Sequence, residues 1–290
     1  MTPPICEVCN REQTYELRLS KPVFRCATCG LQTSAAAFDI TFKSKLDNEI
    51  RSVALKDLRT NNFERILSKL VGGTSSKQLK GLEIGTGNGW WLETCRKHGV
   101  SCEGIEPEQS FRTEHERQHL SVHYDFYPSA HVANKKYDFI IFNDVLEHIP
   151  KPTSLFSSLR NNLEDQGIII VNIPMSSGFF YRCAKLLYRF KIKSPMERMW
   201  QFDFHSPHIN YFNSSNLREM FHQNGFSCTN EFKLQTLSYK SIKSRLRMDQ
   251  GSSSGKIMTL SLFVNIGLAL SKLFPPDIKV FFFADRKTAE

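Results

Sequence analysis

Short apolar runs alternate with amphipathic stretches from residue 78 onward. The runs at 137–144 and 168–174 are almost continuously apolar, which predicts strands covered on both faces rather than one. Because helix-compatible segments lie between the strands, the pattern predicts an α/β fold with a doubly wound, mostly parallel sheet. The predicted strand segments are 79–84, 99–107, 121–126, 137–144, 168–174, 226–237 and 278–284.

Other stretches depart from this alternation. Apolar residues recur at helical intervals over 36–75, which predicts a helical cap on the sheet. A basic and aromatic segment at 175–212 interrupts the pattern after the fifth strand, and an apolar-faced helix is predicted over 256–274. We therefore expect three parts at 1–35, 36–77 and 78–290, with 175–212 as a lid-like insertion in the last.

Two Cys-x-x-Cys pairs near the N-terminus are separated by sixteen residues: Cys6 with Cys9, and Cys26 with Cys29. This spacing is typical of zinc sites, and four thiolates form a closed tetrahedral site that is usually structural. Short alternating segments lie between the pairs, so residues 1–35 resemble a zinc ribbon. The sequence predicts one structural zinc ion there.

A glycine-rich turn, Glu-Ile-Gly-Thr-Gly-Asn-Gly at 83–89, joins the first strand of the sheet to a helix-compatible run. Glycine lets the backbone approach a ligand, and a helix N-terminus offers free N–H groups. Trp90 stands where a dinucleotide fingerprint requires glycine or alanine, and the Gly-Lys-Ser/Thr of a P-loop is missing. The turn resembles the first motif of the class I S-adenosylmethionine-dependent methyltransferases.

Further motifs support this resemblance, which covers roughly residues 78–285. They are Leu-Glu-His-Ile at 146–149 and a His-Ile…Phe…Leu…Gly-Phe pattern from His208 to Phe226. The resemblance implies a Rossmann-like sheet of seven strands whose last strand is antiparallel, and S-adenosylmethionine as cofactor. The cofactor-binding residues that it implies are Glu83, Gly85, Thr86, Gly87, Gly89, Glu106, Asp125, Phe126, Asn143 and Asp144.

The resemblance also gives roles to several of these side chains. Glu106 follows the second strand, where an acid can accept both ribose hydroxyls of an adenosyl group. Asp125 would contact the adenine amino group, and Phe126 would cover the ring. Glu83 would serve the ammonium group of the cofactor, directly or through water.

Two histidines are candidate general bases, which methyl transfer needs only when the nucleophile arrives protonated. His148 ranks first because it follows the fourth strand on the cofactor side of the sheet, and His208 ranks second. His205 is a third candidate. For each, a hydrogen-bonded structural role is the alternative.

The net charge of +9 is unevenly spread, since residues 176–250 hold 12 Lys and Arg against 5 Asp and Glu. This surplus indicates an acidic partner: a phosphate-bearing substrate, nucleic acid or an anionic membrane surface. An ordinary solvated face is the alternative. If the insertion is a lid, we expect Arg182, Lys185, Arg189 or Arg198 to face the same crevice as His148 and His208.

The sequence therefore predicts a methyltransferase that acts on a small-molecule or glycan-type acceptor, such as a sugar nucleotide or lipid-linked sugar. An RNA methyltransferase is the second interpretation, because a zinc ribbon and a basic surplus suit nucleic acid. A non-catalytic binding protein that keeps the fold is the third. No secretory signal or membrane-spanning run is visible, so we expect a cytoplasmic protein with reduced cysteines, for which peripheral membrane contact stays open. The sequence does not indicate the oligomeric state.

Overall fold

The computed structural model describes residues 2–39, 48–72, 78–236 and 274–286. These residues form the strands β1 (Thr14–Arg18), β2 (Pro22–Arg25), β3 (Gln32–Ser34), β4 (Lys80–Ile84), β5 (Ser101–Ile105), β6 (Val122–His123), β7 (Tyr137–Asn143), β8 (Leu163–Pro174), β9 (Asn210–Tyr211), β10 (Phe226–Lys233) and β11 (Ile278–Asp285). They form the helices α1 (Asn48–Val71), α2 (Trp90–Lys97), α3 (Arg112–Arg117), α4 (Phe156–Asn162), α5 (Phe179–Arg189), α6 (Ser194–Met199) and α7 (Ser214–Gln223).

A seven-stranded sheet has the order β10-β11-β8-β7-β4-β5-β6. β11 runs antiparallel to both of its neighbours, and the other pairings are parallel. After β4 the chain builds one side of the sheet through β5 and β6, then crosses to β7 on the other side. Ligands bind at such a switch point, beyond the carboxyl ends of the strands. The predicted mostly parallel sheet with an antiparallel last strand is confirmed.

Strand β7 shows why the apolar run at 137–144 predicted a doubly covered strand. Ile140 and Phe142 pack in a cluster with residues of α4 and α7 on one face. Phe139 and Ile141 pack in a second cluster with residues of α1 and α2 on the other face. All four side chains are fully buried. Layers of helices therefore cover both faces of the sheet, as in a doubly wound fold.

Helix α1 is the described part of the predicted cap. It spans Asn48–Val71 in the described residues, and the prediction of helix from residue 36 is wrong for residues 36–39, which are not helical. Phe63 of α1 packs edge to face on Trp91 of α2, with ring centroids 5.6 Å apart. Residues 40–47 and 73–77 lie outside the described part of the chain, and so does the predicted helix over 256–274 apart from Phe274. No helix in the described ranges is long and apolar enough to cross a bilayer.

The cysteine-rich N-terminal region and the insertion at 175–212 share one small sheet. Its order is β1-β2-β3-β9, and its fourth strand comes from the insertion. β9 pairs antiparallel with β3, with Tyr211 opposite Gln32. Leu17 and Val23 of the N-terminal strands pack in one buried cluster with insertion residues that include Trp200. The insertion therefore uses one of its faces to complete the fold of the N-terminal region.

Candidate functional site

The glycine turn after β4 adopts a backbone that its three glycines make accessible. Gly85, Gly87 and Gly89 have φ angles of 74°, 54° and 77°, in the left-handed region. A Cβ on Gly85 would lie 2.5 Å from Val145, and one on Gly89 would lie 2.4 Å from Leu120. A Cβ on Gly87 would meet no described atom within 4 Å. Gly87 thus borders open space, whereas its two neighbours pack against the protein.

Glu106, beyond the end of β5, is bound to backbone groups of two loops. Its Oε2 accepts a hydrogen bond of 2.7 Å from the Gly87 N–H, and its Oε1 accepts one of 2.9 Å from the Glu108 N–H. Its exposed fraction is 6%. Burial raises the pKa of Glu106, although both backbone hydrogen bonds oppose this shift. The carboxylate that the sequence assigned to the ribose therefore lies directly against the glycine turn.

His115 of α3 supports the same turn. Its Nε2 lies 2.8 Å from the Gly87 carbonyl oxygen, which can only accept, so Nε2 carries the proton. Its Nδ1 then accepts from the Tyr124 hydroxyl at 2.7 Å. Burial lowers the pKa of His115, which favours this neutral form. Sequence reasoning missed this residue, because nothing in its local pattern marks a contact made across the fold.

Glu83 is buried at the carboxyl end of β4. Asn143 donates a hydrogen bond of 2.9 Å from Nδ2 to Oε1 of Glu83. The other oxygen, Oε2, has no hydrogen-bond partner among the described residues, and the same is true of the buried Thr86 hydroxyl. Burial raises the pKa of Glu83 well above its usual range. An unsatisfied, buried carboxylate oxygen fits a cationic ligand group, which is the chemistry expected of the cofactor's ammonium.

The two predicted adenine contacts lie on the loop after β6. Asp125 accepts a hydrogen bond of 2.8 Å from the Phe126 N–H, and a hydrogen bond with Ser129 lowers the pKa of Asp125. The Phe126 ring is 59% exposed and meets Phe38 edge to face at 5.9 Å. The exposed face of this ring leaves room for a second ring to stack.

Asp144, directly after β7, has a φ of 54°. Its carboxylate pairs with Arg59 of α1 at 2.9 Å. The helical cap therefore reaches the end of the fourth strand of the main sheet. No local pattern in the sequence indicated this role for Arg59.

One cavity of about 1230 Å³ brings these residues together. The predicted cofactor residues that line it are Glu83, Gly85, Thr86, Gly87, Glu106, Asp125, Phe126, Asn143 and Asp144. Gly89 is not among the lining residues. His148, His205 and His208 line the same cavity, so the candidate bases and the cofactor residues face one space.

The imidazoles of His148 and His208 are neighbours, with ring centroids 4.9 Å apart. Nδ1 of His148 lies 2.8 Å from the Pro207 carbonyl oxygen, so Nδ1 carries a proton, and in the neutral imidazole Nε2 keeps the lone pair. His205 is separate from this pair and contacts Glu108 at 3.1 Å. The hydrogen bond from His205 lowers the pKa of Glu108.

Strand β3 helps to hold the segment that carries His208. The Ser34 N–H donates to the Ile209 carbonyl at 2.8 Å, and the Ser34 hydroxyl donates to the His208 carbonyl at 2.9 Å. The small sheet thus fixes the backbone on which a candidate base sits.

Glu147 lies between the two histidines and had no assigned role in the sequence analysis. It is 1% exposed, and Oε1 lies 4.0 Å from Nε2 of both His148 and His208. Burial raises the pKa of Glu147 well above its usual range. Its position inside the Leu-Glu-His-Ile motif was the feature of the sequence that could have identified it as a site residue.

The four expected lid cations take different positions. Arg198 lines the cavity. Lys185 contacts Glu16 of β1 at 2.5 Å and so faces the N-terminal sheet. Arg182 and Arg189 are not among the lining residues.

The four N-terminal cysteines converge. The sulfur atoms of Cys6, Cys9, Cys26 and Cys29 all lie within 4.8 Å of one another. The Sγ atoms of Cys6 and Cys29 are 3.5 Å apart, and this hydrogen bond lowers the pKa of Cys6 to about 5. The same hydrogen bond raises the pKa of Cys29, so only the closeness of the four sulfur atoms matches the donor set of a thiolate zinc site.

The comparisons with known proteins agree on one family. Residues 49–231, more than half of the chain, match a family model described as a methyltransferase domain. The ubiquinone biosynthesis O-methyltransferase of Glaesserella parasuis is 30% identical over 104 residues, which cover 32% of this chain and 44% of that protein. The match thus spans less than half the length of this curated relative.

Solved structures show the same fold. A cyclopropane synthase of Mycobacterium tuberculosis matches with a TM-score of 0.53 and 15% identity over 87% of this chain and 90% of its own. An S-adenosylmethionine-dependent methyltransferase of Thermotoga maritima matches with a TM-score of 0.52 and 13% identity, covering 82% and 94%. At such identities the likeness concerns the fold alone.

Replacing Gly87 with alanine should weaken S-adenosylmethionine binding by roughly tenfold or more, an effect of at least about 1.4 kcal/mol, because the added Cβ enters the cavity. Gly99→Ala is the matched control. Its φ is 70°, and its added Cβ also meets no described atom within 4 Å. Both variants should lose about 1–2 kcal/mol of stability through backbone strain. Calorimetry should show weakened binding for Gly87→Ala alone, and equal binding by the two variants would contradict this assignment.

The stability of the ligand-free protein should fall with rising pH through Glu83. In the unfolded chain this group ionises near pH 4.3. In the folded protein burial holds its pKa well above that range, so the folded state loses stability as pH rises through the raised value. Glu83→Gln should therefore raise the melting temperature at pH 8 and change it little near pH 4.5. The exposed Glu116→Gln is the control. If the difference in melting temperature between Glu83→Gln and wild type does not grow with pH, the pKa of Glu83 is not raised in the folded protein.

Proposed function

The chain belongs to the methyltransferase-domain family, among the class I S-adenosylmethionine-dependent methyltransferases, and on that premise we propose that it methylates a hydroxyl of a small-molecule or glycan-type acceptor. One observation carries the proposal. A single cavity joins the glycine turn and Glu106 at one end to His148 and His208 at the other. Such a cavity can hold a methyl donor and an acceptor in contact.

The cofactor end offers partners for three of the polar groups of S-adenosylmethionine. Glu106 would accept the ribose hydroxyls, and Oε2 of Glu83 would accept from the ammonium group. Asp125 would bind the adenine amino group, with Phe126 over the ring. Once bound, the cofactor supplies an electrophilic methyl group on a positively charged sulfur. The work of these residues is to fix the direction of that methyl group, because alignment is the main source of rate in a displacement reaction.

The acceptor end supplies the proton acceptor. In the neutral form of His148, Nδ1 donates to Pro207 and Nε2 keeps the lone pair. A hydroxyl that lies between Nε2 and the methyl group can lose its proton as its oxygen attacks. The insertion forms a wall of the cavity through residues that include Tyr181 and Met199, and so limits access of water.

Two observations support the acceptor class. Arg198 lines the cavity and gives it a cation for an anionic acceptor. A curated relative is named as an O-methyltransferase, which favours a hydroxyl over an amine.

An RNA acceptor is the second candidate, favoured by the basic surplus of residues 176–250. Part of that surplus lies at 237–250, outside the described residues. Within the described part, Lys185 is engaged by Glu16 of the N-terminal sheet. Such internal pairing leaves less positive charge for phosphates, so we rank RNA below a small acceptor.

We also propose that Cys6, Cys9, Cys26 and Cys29 bind one structural zinc ion, and that residues 1–35 form a zinc ribbon. The proximity of the four sulfur atoms supports this. The three-part division at 1–35, 36–77 and 78–290 belongs to the same proposal.

The test of function is methyl transfer from labelled S-adenosylmethionine into a fractionated cell extract, sorted into RNA, lipid, glycan and small-molecule pools. The proposal expects label in a small-molecule, glycan or lipid-linked glycan pool, bound to oxygen and stable to base. Label in RNA would establish the second candidate. Absence of label from every pool, with protein that binds the cofactor, would favour a non-catalytic binding protein.

Replacing Glu106 with alanine should weaken S-adenosylmethionine binding by about 1–3 kcal/mol through lost hydroxyl hydrogen bonds. Glu103→Ala is the control, since Glu103 lies on β5 but contacts Lys135 and Tyr137 rather than the cavity. Calorimetry on both variants makes the comparison. Unchanged affinity in Glu106→Ala would exclude the ribose role.

Purified protein should contain one zinc ion per chain by elemental analysis. The double variant Cys26→Ser/Cys29→Ser should lose it, because two thiolates hold zinc poorly. Cys228→Ser, which removes a cysteine far from the cluster in sequence, should retain it. Stoichiometric zinc in the double variant would show that the metal is held elsewhere.

Helix α5 and the residues after it expose apolar side chains beside basic ones. Phe190 is 70% exposed and Ile192 is 49% exposed, with Arg189, Lys191 and Lys193 adjacent in the chain. Peripheral binding to anionic vesicles is therefore expected, and Phe190→Ser/Ile192→Ser should abolish flotation. The exposed Ile5→Ser on the N-terminal region is the control. Wild-type protein that stays below the vesicles would favour a wholly soluble acceptor.

A further inference from the structure

Three side chains with metal-ligating chemistry converge at the acceptor end of the cavity. They are Glu147, His148 and His208, and one ligand atom of each lies within 4.8 Å of the others. The short 3-10 helix at Leu146–His148 carries the first two, and the segment before β9 carries the third. All three line the cavity.

Glu147 is the least satisfied member of this group. It is 1% exposed, and neither carboxylate oxygen has a hydrogen-bond partner in the described part of the chain. An uncompensated charge in such a place is costly, and native proteins usually satisfy such groups with an ion or a water molecule. A positive charge or a hydrogen-bond donor at the centre of the cluster would satisfy the carboxylate of Glu147.

Hydrogen bonds from neighbouring residues orient these side chains in the way that is usual for metal ligands. Nδ1–H of His148 donates to the Pro207 carbonyl, which leaves the Nε2 lone pair on the side of Glu147. Metal-binding histidines almost always use their second nitrogen in this way. The Ile209 N–H also donates to the Glu147 carbonyl at 2.8 Å, which ties the two ligand-bearing segments together.

We propose that Glu147, His148 and His208 bind one divalent first-row transition ion. Two imidazoles and one carboxylate suit Mn²⁺, Fe²⁺, Co²⁺ or Zn²⁺ better than Ca²⁺. Small side-chain rotations bring the three ligand atoms to one ion. Binding displaces the contact of 2.8 Å between the Gln201 amide and Nε2 of His208. Coordination positions of the ion that no protein side chain fills are open to an acceptor.

The ion deepens the proposed function, on which its catalytic role rests. Val145 packs directly on Gly85, so the ion site adjoins the glycine turn. An acceptor hydroxyl beside the ion loses its proton to water more easily. Its oxygen then bonds to the methyl carbon as the carbon–sulfur bond breaks, and sulfur keeps the electron pair. With the ion bound, His148 serves as a ligand, and water replaces it as the proton acceptor assigned under the proposed function.

Titration with Mn²⁺, followed by electron paramagnetic resonance of the free ion, tests the site without cofactor or acceptor. Among the divalent first-row ions, Mn²⁺ has the lowest affinity for a given site and does not displace zinc from thiolates. The N-terminal cysteines therefore do not interfere. Wild-type protein should bind one Mn²⁺ per chain. Glu147→Gln should weaken binding by roughly tenfold or more. Mn²⁺ should raise the melting temperature of wild type and leave that of Glu147→Gln unchanged.

Glu83→Gln is the matched control, because Glu83 is also a buried carboxylate with an unsatisfied oxygen but lies at the cofactor end. It should bind Mn²⁺ as wild type does. His148→Gln is the second test variant and replaces Glu147→Gln if circular dichroism shows that the latter is unfolded. The proposed metal site is wrong if the wild-type protein shows no saturable binding of Mn²⁺. It is also wrong if a folded test variant binds Mn²⁺ with the affinity of wild type. Normal Mn²⁺ binding without methyl transfer to any pool instead overturns the proposed function.

Discussion

Two backbone N–H groups from different loops converge on the carboxylate of Glu106, and the shape of the cavity depends on this arrangement. The Gly87 N–H can point at Glu106 because its φ of 54° lies in the left-handed region. His115 fixes the same residue from its carbonyl side. The glycine turn is thus held by one side chain from the loop after β5 and one from α3 before any ligand arrives. Such preorganisation lowers the cost of ordering the loop on binding.

The acceptor side depends on the N-terminal sheet. Tyr181 of the insertion donates a buried hydrogen bond of 2.7 Å to Gln32 of β3, and Ser34 of the same strand holds the backbone at His208. The insertion therefore has one face toward the cavity and another toward the N-terminal strands. These contacts join the cysteine-rich region to the acceptor wall, although no cysteine lines the cavity.

The sheet could be predicted from the sequence because continuous apolar strands and a glycine turn are local signals. Most residues assigned to the cofactor line the cavity for the same reason: they follow strand ends. Contacts between distant segments could not be predicted, as Arg59, His115 and the pairing of β9 with β3 show. The helix prediction was wrong for residues 36–39, because the apolar side chain of Phe38 packs at the cavity and does not belong to a helix face. Its ring packs on Phe126 and His205 at the cavity.

The small sheet combines strands that are far apart in the chain, and this affects how the protein folds during synthesis. Its first three strands are synthesised before its fourth, because Asn210, which bonds to Thr33, lies 177 residues later in the chain. Until then β3 has an unpaired edge, and an unpaired edge invites wrong partners. Domains generally fold from the N-terminus during synthesis. The small sheet instead cannot be completed until β9 has been synthesised, after most strands of the seven-stranded sheet.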